Sequence, residues 1–353
     1  MTKTDKKYGT VVYILRAQPL HKGHIETIKK AGELADNVIL VVGSAYRPRD
    51  YKNPFTYEER KDMINNAIQE YELNSKTGAK FWVQPIRDTL YDDTAWVANV
   101  QSVVYKIANP KETIAIIGHE KDESSFYLKM FPTWSFEHQD LVEPLDATQI
   151  RQLYFSPKSN TNFFSSVIAK STKVFLDDFQ KTEDFKQIIK EKEFIESYKK
   201  QFESLPYPPI FVTTDAVVVQ SGHILLVKRR AEPGKGLWAL PGGFVNAKSD
   251  KSVQAAMLRE LKEETSIKVP EKVLIGSIKS NKVFDAVNRS ARGRTITHAF
   301  HISLTEGEWN LPKVKGEDDA EKAQWVPLAQ VHSEDLFEDH YDIISYFVGN
   351  IVK

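Results

Sequence analysis

The chain has 353 residues, 41% hydrophobic and 27% charged, which is too long for one ordinary domain and apolar enough for two cores. Lys+Arg and Asp+Glu balance at 48 each, so no bulk field draws in nucleic acid, although a local patch suffices for a small phosphorylated ligand. Cysteine is absent, which removes disulfides, zinc–thiolate sites and cysteine nucleophiles together and fits a reducing cytoplasm.

From the N-terminus, MTKTDKKYGT is polar and lacks the apolar region of a signal peptide. No later run approaches the roughly 20 apolar residues of a membrane span, so a cytoplasmic protein without a membrane partner is expected. TVVYILRA (10–17) and NVILVVGS (37–44) are β-branched runs flanking the helix-like HKGHIETIKKAGELA, a β–α–β unit of a parallel sheet. Thr56, with Glu59 three residues on, is a capping box that opens a helix over TYEERKDMINNAIQEY. FWVQPI, a helix from about Thr94 and TIAIIGH (113–119) continue the alternation. The first 150 residues thus read as a doubly wound, Rossmann-like α/β domain.

From about 161 to 205 the chain turns helical and highly charged, an appendage of the first domain. LPYPPIF then places three prolines in four residues, which cannot continue a helix and mark a boundary, giving domains 1–205 and 206–353. FVTTDAVVVQ and GHILLVKRR follow as strands joined by a hairpin turn at Ser221-Gly222. Further strands are expected near 273–283 and 293–304, with helices near 252–265 and 333–349, an α+β domain.

Two clusters carry chemistry in the first domain. His21-Lys22-Gly23-His24 sits where the first strand gives way to its helix, and ligands of open α/β sheets bind at strand C-termini, beside helix N-termini. Two imidazoles and a glycine there suit a polyphosphate and the charge that grows on a phosphorus under attack. Near the end of the domain, Asp146 or Thr148 can cap a helix whose first turn carries Arg151, aiming N–H groups and a guanidinium at phosphate.

With LRAQPLHKGH, VGSAYRPRDYKNPFTYEER, IIGHEKD and DATQIR, residues 8–155 resemble the archaeal-type nicotinamide mononucleotide (NMN) adenylyltransferases of the nucleotidyltransferase superfamily. The resemblance implies that His21 and His24 contact the ATP phosphates and that Arg151 and Thr148 hold the outer ones. It also implies Arg16 and Arg60 beside the phosphates, Gln18 and Gly23 among the substrate contacts, and Trp96 stacked on the nicotinamide. One departure is Leu15-Arg16-Ala17-Gln18-Pro19, where the family has GRFQP.

The second domain carries GLWALPGGFV and then Arg259-Glu260-Leu261-Lys262-Glu263-Glu264. On a helix, positions 260, 263 and 264 share a face, where three like charges repel unless a divalent cation neutralises them. Carboxylate oxygens suit Mg²⁺, with Mn²⁺ as the alternative. LPGG followed by REUxEE, with U apolar, is similar to the Nudix box, Gx5Ex7REUxEExGU. Gly243 to Arg259 is two residues longer than that pattern, its early glutamate is missing among Lys248, Ser249 and Asp250, and Ser266 replaces its late glycine. The resemblance implies a metal site at Glu260, Glu263 and Glu264, substrate contacts at Gly242 and Gly243, and water attack on a diphosphate. Glu317, Asp318 and Asp319 are candidates for a further acidic group, Glu317 as a fourth metal ligand. Arg294 and Arg292 are candidates for the substrate phosphates.

Fusion of the two halves resembles a bacterial bifunctional family that makes NAD from ATP and NMN and hydrolyses ADP-ribose to AMP and ribose 5-phosphate. ATP, NMN and ADP-ribose are then the expected small-molecule partners, with Mg²⁺ at both sites. The sequence leaves open a homo-oligomer, a different nucleotidyl acceptor such as nicotinate mononucleotide or phosphopantetheine, and a Nudix half that senses ligand without turnover.

Overall fold

The computed structural model describes residues 6–109, 111–120, 123–140, 146–156, 158–304, 310–316 and 320–349. The chain divides into two compact units, Met1–Lys190 and Glu191–Lys353. Among the described residues no helix is long and apolar enough to cross a membrane.

The first unit runs β1 (Tyr8–Leu15), α1 (Lys22–Leu34), β2 (Ala35–Val42), α2 (Tyr57–Glu70), α3 (Leu73–Thr77), β3 (Lys80–Pro85), α4 (Asp93–Tyr105), β4 (Ile114–Gly118), β5 (Ser135–His138), α5 (Ala147–Tyr154) and α6 (Lys170–Phe179). The charged helix α7 (Glu183–Lys200) begins in this unit and ends in the second. The strands form one parallel sheet in the order β3-β2-β1-β4-β5. Successive side chains of a strand point to opposite faces. Val11, Val38 and Leu40 therefore enter a core with Ile25, Ile28 and Met63, while Val12, Ile39 and Val41 enter another with Val100 and Val104 of α4. A sheet covered on both faces is why these strands read as continuous apolar runs. The strand order reverses between β1 and β4, and the crevice outside their C-terminal ends is the natural ligand position.

The capping box opening α2 forms as expected: the Glu59 N–H donates to Thr56 Oγ1 at 3.4 Å, and the Thr56 N–H donates to the Glu59 carboxylate at 2.8 Å. One turn on, Arg60 is fully buried and corrects the expectation that it meets phosphate. Its guanidinium donates to the carbonyls of Arg16 (2.8 Å), Gly43 (2.7 Å), Ser44 (3.1 Å) and Thr56 (3.2 Å). It ties the segments leaving β1 and β2 to α2.

The second unit contains β6 (Phe211–Gln220), β7 (His223–Arg229), β8 (Trp238–Ala239), β9 (Gly242–Phe244), α8 (Val253–Thr265), α9 (Glu271–Gly276), β10 (Ile278–Phe284), β11 (Thr295–Ser303), β12 (Ala320–Pro327) and α10 (His340–Val348). Its mixed sheet follows β10-β11-β6-β7-β12, with β8 beside β7, β9 beside β6, and β6 parallel to β11. Ser221 (φ 48°) and Gly222 (φ 70°) are both left-handed, the two-residue turn whose twist suits a hairpin. Helix α8 buries Met257, Leu258 and Leu261 against Ala216, Val218 and Leu225, which turns its glutamates away from that core.

Two expectations are corrected. The strand placed near 273–283 starts at Ile278, because Pro270 opens the short helix α9 ahead of it. The helix placed near 333–349 starts at His340, after a short 3₁₀ turn at Ser333–Asp335.

Replacing Arg60 with Met is expected to strip donors from four carbonyls, two of them in fully buried bonds, and destabilise the first unit by at least about 3 kcal/mol. Urea midpoints measure this; a loss below about 1 kcal/mol would show that the loops do not depend on Arg60.

Candidate active sites

The first site is built where β1 hands over to α1. After Leu15 the chain turns at Ala17 (φ 50°) and the cis Gln18–Pro19 bond, and His21 is the residue preceding the first turn of α1. The His21 N–H donates to His24 Nδ1 at 3.2 Å, which puts the proton of a neutral His24 on Nε2. The two rings lie 3.8 Å apart between centroids. Burial pushes His21 down to about 4, and burial together with its neighbour His21 holds His24 well below its ordinary value. Both imidazoles are therefore neutral at pH 7 and act as donors and acceptors, not as charges. Gly23 lies in the first turn of α1.

Helix α5 comes to the same place. Asp146 caps it, accepting from the Gln149 N–H at 2.9 Å, which decides between the two candidate caps. Arg151 donates to the Gln18 carbonyl at 2.7 Å and to Thr148 Oγ1 at 3.2 Å, and the Asp146 charge acts on His21. The structure thus joins the two sequence clusters. Two buried atoms here, His21 Nδ1 and Arg151 Nε, have no partner among the described residues. Arg16 is exposed at the end of β1, and its side chain makes no hydrogen bond or ion pair to a described residue. Trp96, half-buried in the first turn of α4, packs edge-on against Tyr127 with centroids 6.0 Å apart. Gln18 corrects an expectation: its side-chain amide pairs both ways with the Phe55 backbone, at 2.9 and 3.0 Å, so it shapes the loop.

The second site is a cavity of about 450 Å³ within the second unit, lined by Glu260, Glu263 and Glu264 of α8, Gly242 to Phe244, and Arg292, among others. Its organising cation is Arg259. The guanidinium takes Asp250 through two bonds (3.0 and 2.9 Å), Glu260 and Glu263 at 2.8 Å each, and the Phe244 carbonyl at 3.2 Å. Asp250 lies in the segment that is two residues too long for the box. The extra residues bring a carboxylate to Arg259 after all, and that hydrogen bond holds Asp250 down to about 2. Ser266, in place of glycine, still adopts the left-handed conformation (φ 45°) that ends α8, at a cost of roughly 1–2 kcal/mol.

Backbone distance requires glycine at 242, and at 243 a side chain would displace the Glu260 carboxyl. A Cβ on Gly242 would stand 2.1 Å from the Thr214 carbonyl oxygen, and one on Gly243 would stand 2.7 Å from the Glu260 carboxyl. The Gly242 N–H donates to Glu264 at 2.9 Å. Burial, opposed by that bond, pushes Glu264 up to about 8, and burial also raises Glu260.

The carboxylates share a wall, yet among the described residues no three groups converge as a ready-made cation cage. Arg259 draws Glu260 and Glu263 to itself, and Glu264 turns to the backbone of β9. Glu317, Asp318 and Asp319 lie outside the described residues. Arg294 is turned to Asp285, donating to its carbonyl at 2.6 Å, and does not line the cavity, whereas Arg292 does. Asp215 and His340 also line it and were not legible as site residues. His340 accepts the Leu240 N–H at 2.8 Å from across 100 positions, and no local pattern marks such a contact.

A parallel sheet with a histidine pair at its switch point, followed by a mixed sheet with an acidic helix over a cavity, defines a two-site protein of phosphoryl and nucleotidyl chemistry. Residues 16–172 match the cytidylyltransferase-like family and residues 210–347 the NUDIX domain family. The nicotinamide/nicotinic acid mononucleotide adenylyltransferase of Acinetobacter baylyi is 37% identical over 183 residues, 52% of this chain and 92% of that protein. The ADP-ribose pyrophosphatase of Methanocaldococcus jannaschii is 32% identical over 163 residues, 46% of this chain and 83% of that one. The crystal structure of a bifunctional NMN adenylyltransferase/ADP-ribose pyrophosphatase from Francisella tularensis is 34% identical with a TM-score of 0.87, covering 98% of this chain and 100% of that one. The same Francisella enzyme complexed with AMP and a manganese ion matches at 33% identity and a TM-score of 0.86, over the same shares. The chain belongs to the family of bifunctional NMN adenylyltransferase/ADP-ribose pyrophosphatases.

The folded protein keeps the Glu264 proton up to about pH 8, whereas the unfolded chain releases it near 4.5. Unfolding therefore releases a proton throughout that window, and in EDTA the second unit is expected to lose stability as pH rises from about 5 to about 8. The Glu264→Gln variant should lose less over the same range. Equal pH dependence of the urea midpoints in the two proteins would count against the raised value.

Proposed function

We propose that the first unit transfers the adenylyl group of ATP to NMN, giving NAD and pyrophosphate, and that the second hydrolyses ADP-ribose to AMP and ribose 5-phosphate. The observation that carries the first assignment is the meeting of His21, His24 and Arg151 at the switch point of the parallel sheet, with two buried polar atoms left for a ligand. An NMN phosphate oxygen attacks the α-phosphorus as the bond to pyrophosphate breaks. No covalent enzyme intermediate is needed, so catalysis is alignment and charge stabilisation. His24 Nε2–H, the N–H groups opening α1 and the exposed guanidinium of Arg16 stabilise the growing charge. Arg151, steadied by Thr148 and the Gln18 carbonyl, holds the outer phosphates. Trp96, braced by Tyr127, offers a π face to the pyridinium ring.

In the second unit, Glu260, Glu263 and Glu264 would hold Mg²⁺ or Mn²⁺. The donor set fits: it is all oxygen, burial and then neighbouring carboxylates raise the proton affinity of Glu260 and Glu264, and Arg259 is the cation that now pairs with Glu260 and Glu263. When bound, the metal supplies an activated water and neutralises diphosphate charge. Arg259 sets the carboxylates, anchored by Asp250, and Gly242 and Gly243 let the backbone close over them. At the first site the cation comes in on the triphosphate, which brings oxygen ligands of its own.

Assays with ATP plus NMN, and separately with ADP-ribose plus Mg²⁺, test both halves; no NAD from NMN would sink the first assignment. His24→Ala is expected to lower adenylyl transfer by about 10²- to 10³-fold and spare hydrolysis. Glu264→Gln is expected to do the reverse. Loss of both activities in either variant contradicts two separate sites.

A further inference from the structure

Five arginines reach the cavity of the second unit, and four have donors engaged. Arg259 is bound to three carboxylates, and Arg289 forms a buried pair with Asp339 at 2.9 and 2.8 Å. Arg229 donates Nε–H to the Pro233 carbonyl at 2.9 Å, and Arg230 donates to the Ala320 carbonyl at 3.2 Å. Arg292 is different. Its Nε is buried and meets no acceptor among the described residues, and its side chain forms no ion pair with any of them. The guanidinium lies 5.1 Å over the Phe244 ring and 5.9 Å from that of Phe337, so aromatic faces hold its plane where a carboxylate would otherwise do so.

A buried N–H without an acceptor is unfavourable unless a ligand supplies the oxygen. The glutamates of α8 line the same cavity, and a diphosphate entering it needs positive charge that is not already neutralised within the protein. We propose that Arg292 is the residue that grips the diphosphate of the nucleoside diphosphate sugar hydrolysed here, an assignment resting on the function proposed above. A guanidinium fork matches two phosphate oxygens with charge-assisted bonds. Arg294, two residues on, is committed to Asp285 and does not replace it.

The test is steady-state hydrolysis of ADP-ribose with Mg²⁺ by the full chain. Losing charge-assisted hydrogen bonds is worth about 10- to 100-fold, so Arg292→Ala should raise KM by that factor while kcat stays within about twofold. Arg292→Lys should recover part of the loss, since it keeps the charge but not the fork. Adenylyl transfer by the same preparations should be unchanged, which excludes misfolding. An unchanged KM in Arg292→Ala, or a fall in kcat alone, overturns the assignment. If the wild-type chain hydrolyses no ADP-ribose, calorimetric titration of ADP-ribose in EDTA separates the two claims. Weaker binding by Arg292→Ala then upholds Arg292 while the proposed hydrolysis fails; equal affinities overturn Arg292 as well.

Discussion

The guanidinium of Arg259 governs the hydrolase pocket. Three glutamates on adjacent turns of one helix repel, and a fourth acid, Asp250, arrives from the loop before it. One planar cation with a fork of N–H donors takes Asp250, Glu260 and Glu263 together and fixes the Phe244 carbonyl at the end of β9. Glu264 is left to a different solution. Buried against β9, it accepts the Gly242 N–H and holds its proton far above the usual carboxylate range. The paired glycines follow from this crowding, since any side chain on them would strike β6 or the Glu260 carboxyl. Acidic helix, lengthened loop and glycine strand are thus one arrangement, which a divalent cation would redistribute by competing with Arg259 for the carboxylates.

The first unit uses arginine differently. Among the described residues Arg60 has no carboxylate as a hydrogen-bond partner and accepts burial by binding four carbonyls, and Arg151 binds the carbonyl of Gln18. Both brace the segment that carries the histidine pair. Because burial keeps those imidazoles neutral, positive charge at this site is left to the α1 N-terminus and to the guanidinium groups of Arg16 and Arg151. Phosphate binding would in turn raise the histidines' proton affinity, so their charge would appear only with the ligand in place.

Much of this was legible in the chain. The alternation of 10–17, 21–35 and 37–44 announced a parallel sheet because consecutive residues on each strand must satisfy opposite cores. The Thr56/Glu59 box and the Ser221-Gly222 turn are local chemistry, and both formed as written. Short or polar strands such as β5, β9 and β12 left no such trace, since three to eight residues without strict alternation look like loop. The strand expected near 273–283 begins only at Ile278, because its first residues belong to the helix that Pro270 opens.

The sequence by itself determined the kinds of chemistry: HxGH ahead of a helix, and REUxEE behind a glycine pair, are spacings that local geometry converts directly into a phosphate cradle and an acidic face. Tertiary structure alone decided which polar groups are used internally and which are left for a ligand. Arg60, Gln18 and Arg294 looked like ligand contacts and are engaged by backbone, while Arg292 and Arg151 keep a buried donor open. The reason is physical. A hydrogen-bond partner is selected by proximity across tens of residues, and no local spacing records which carbonyl will lie within 3 Å of a guanidinium once the strands are packed.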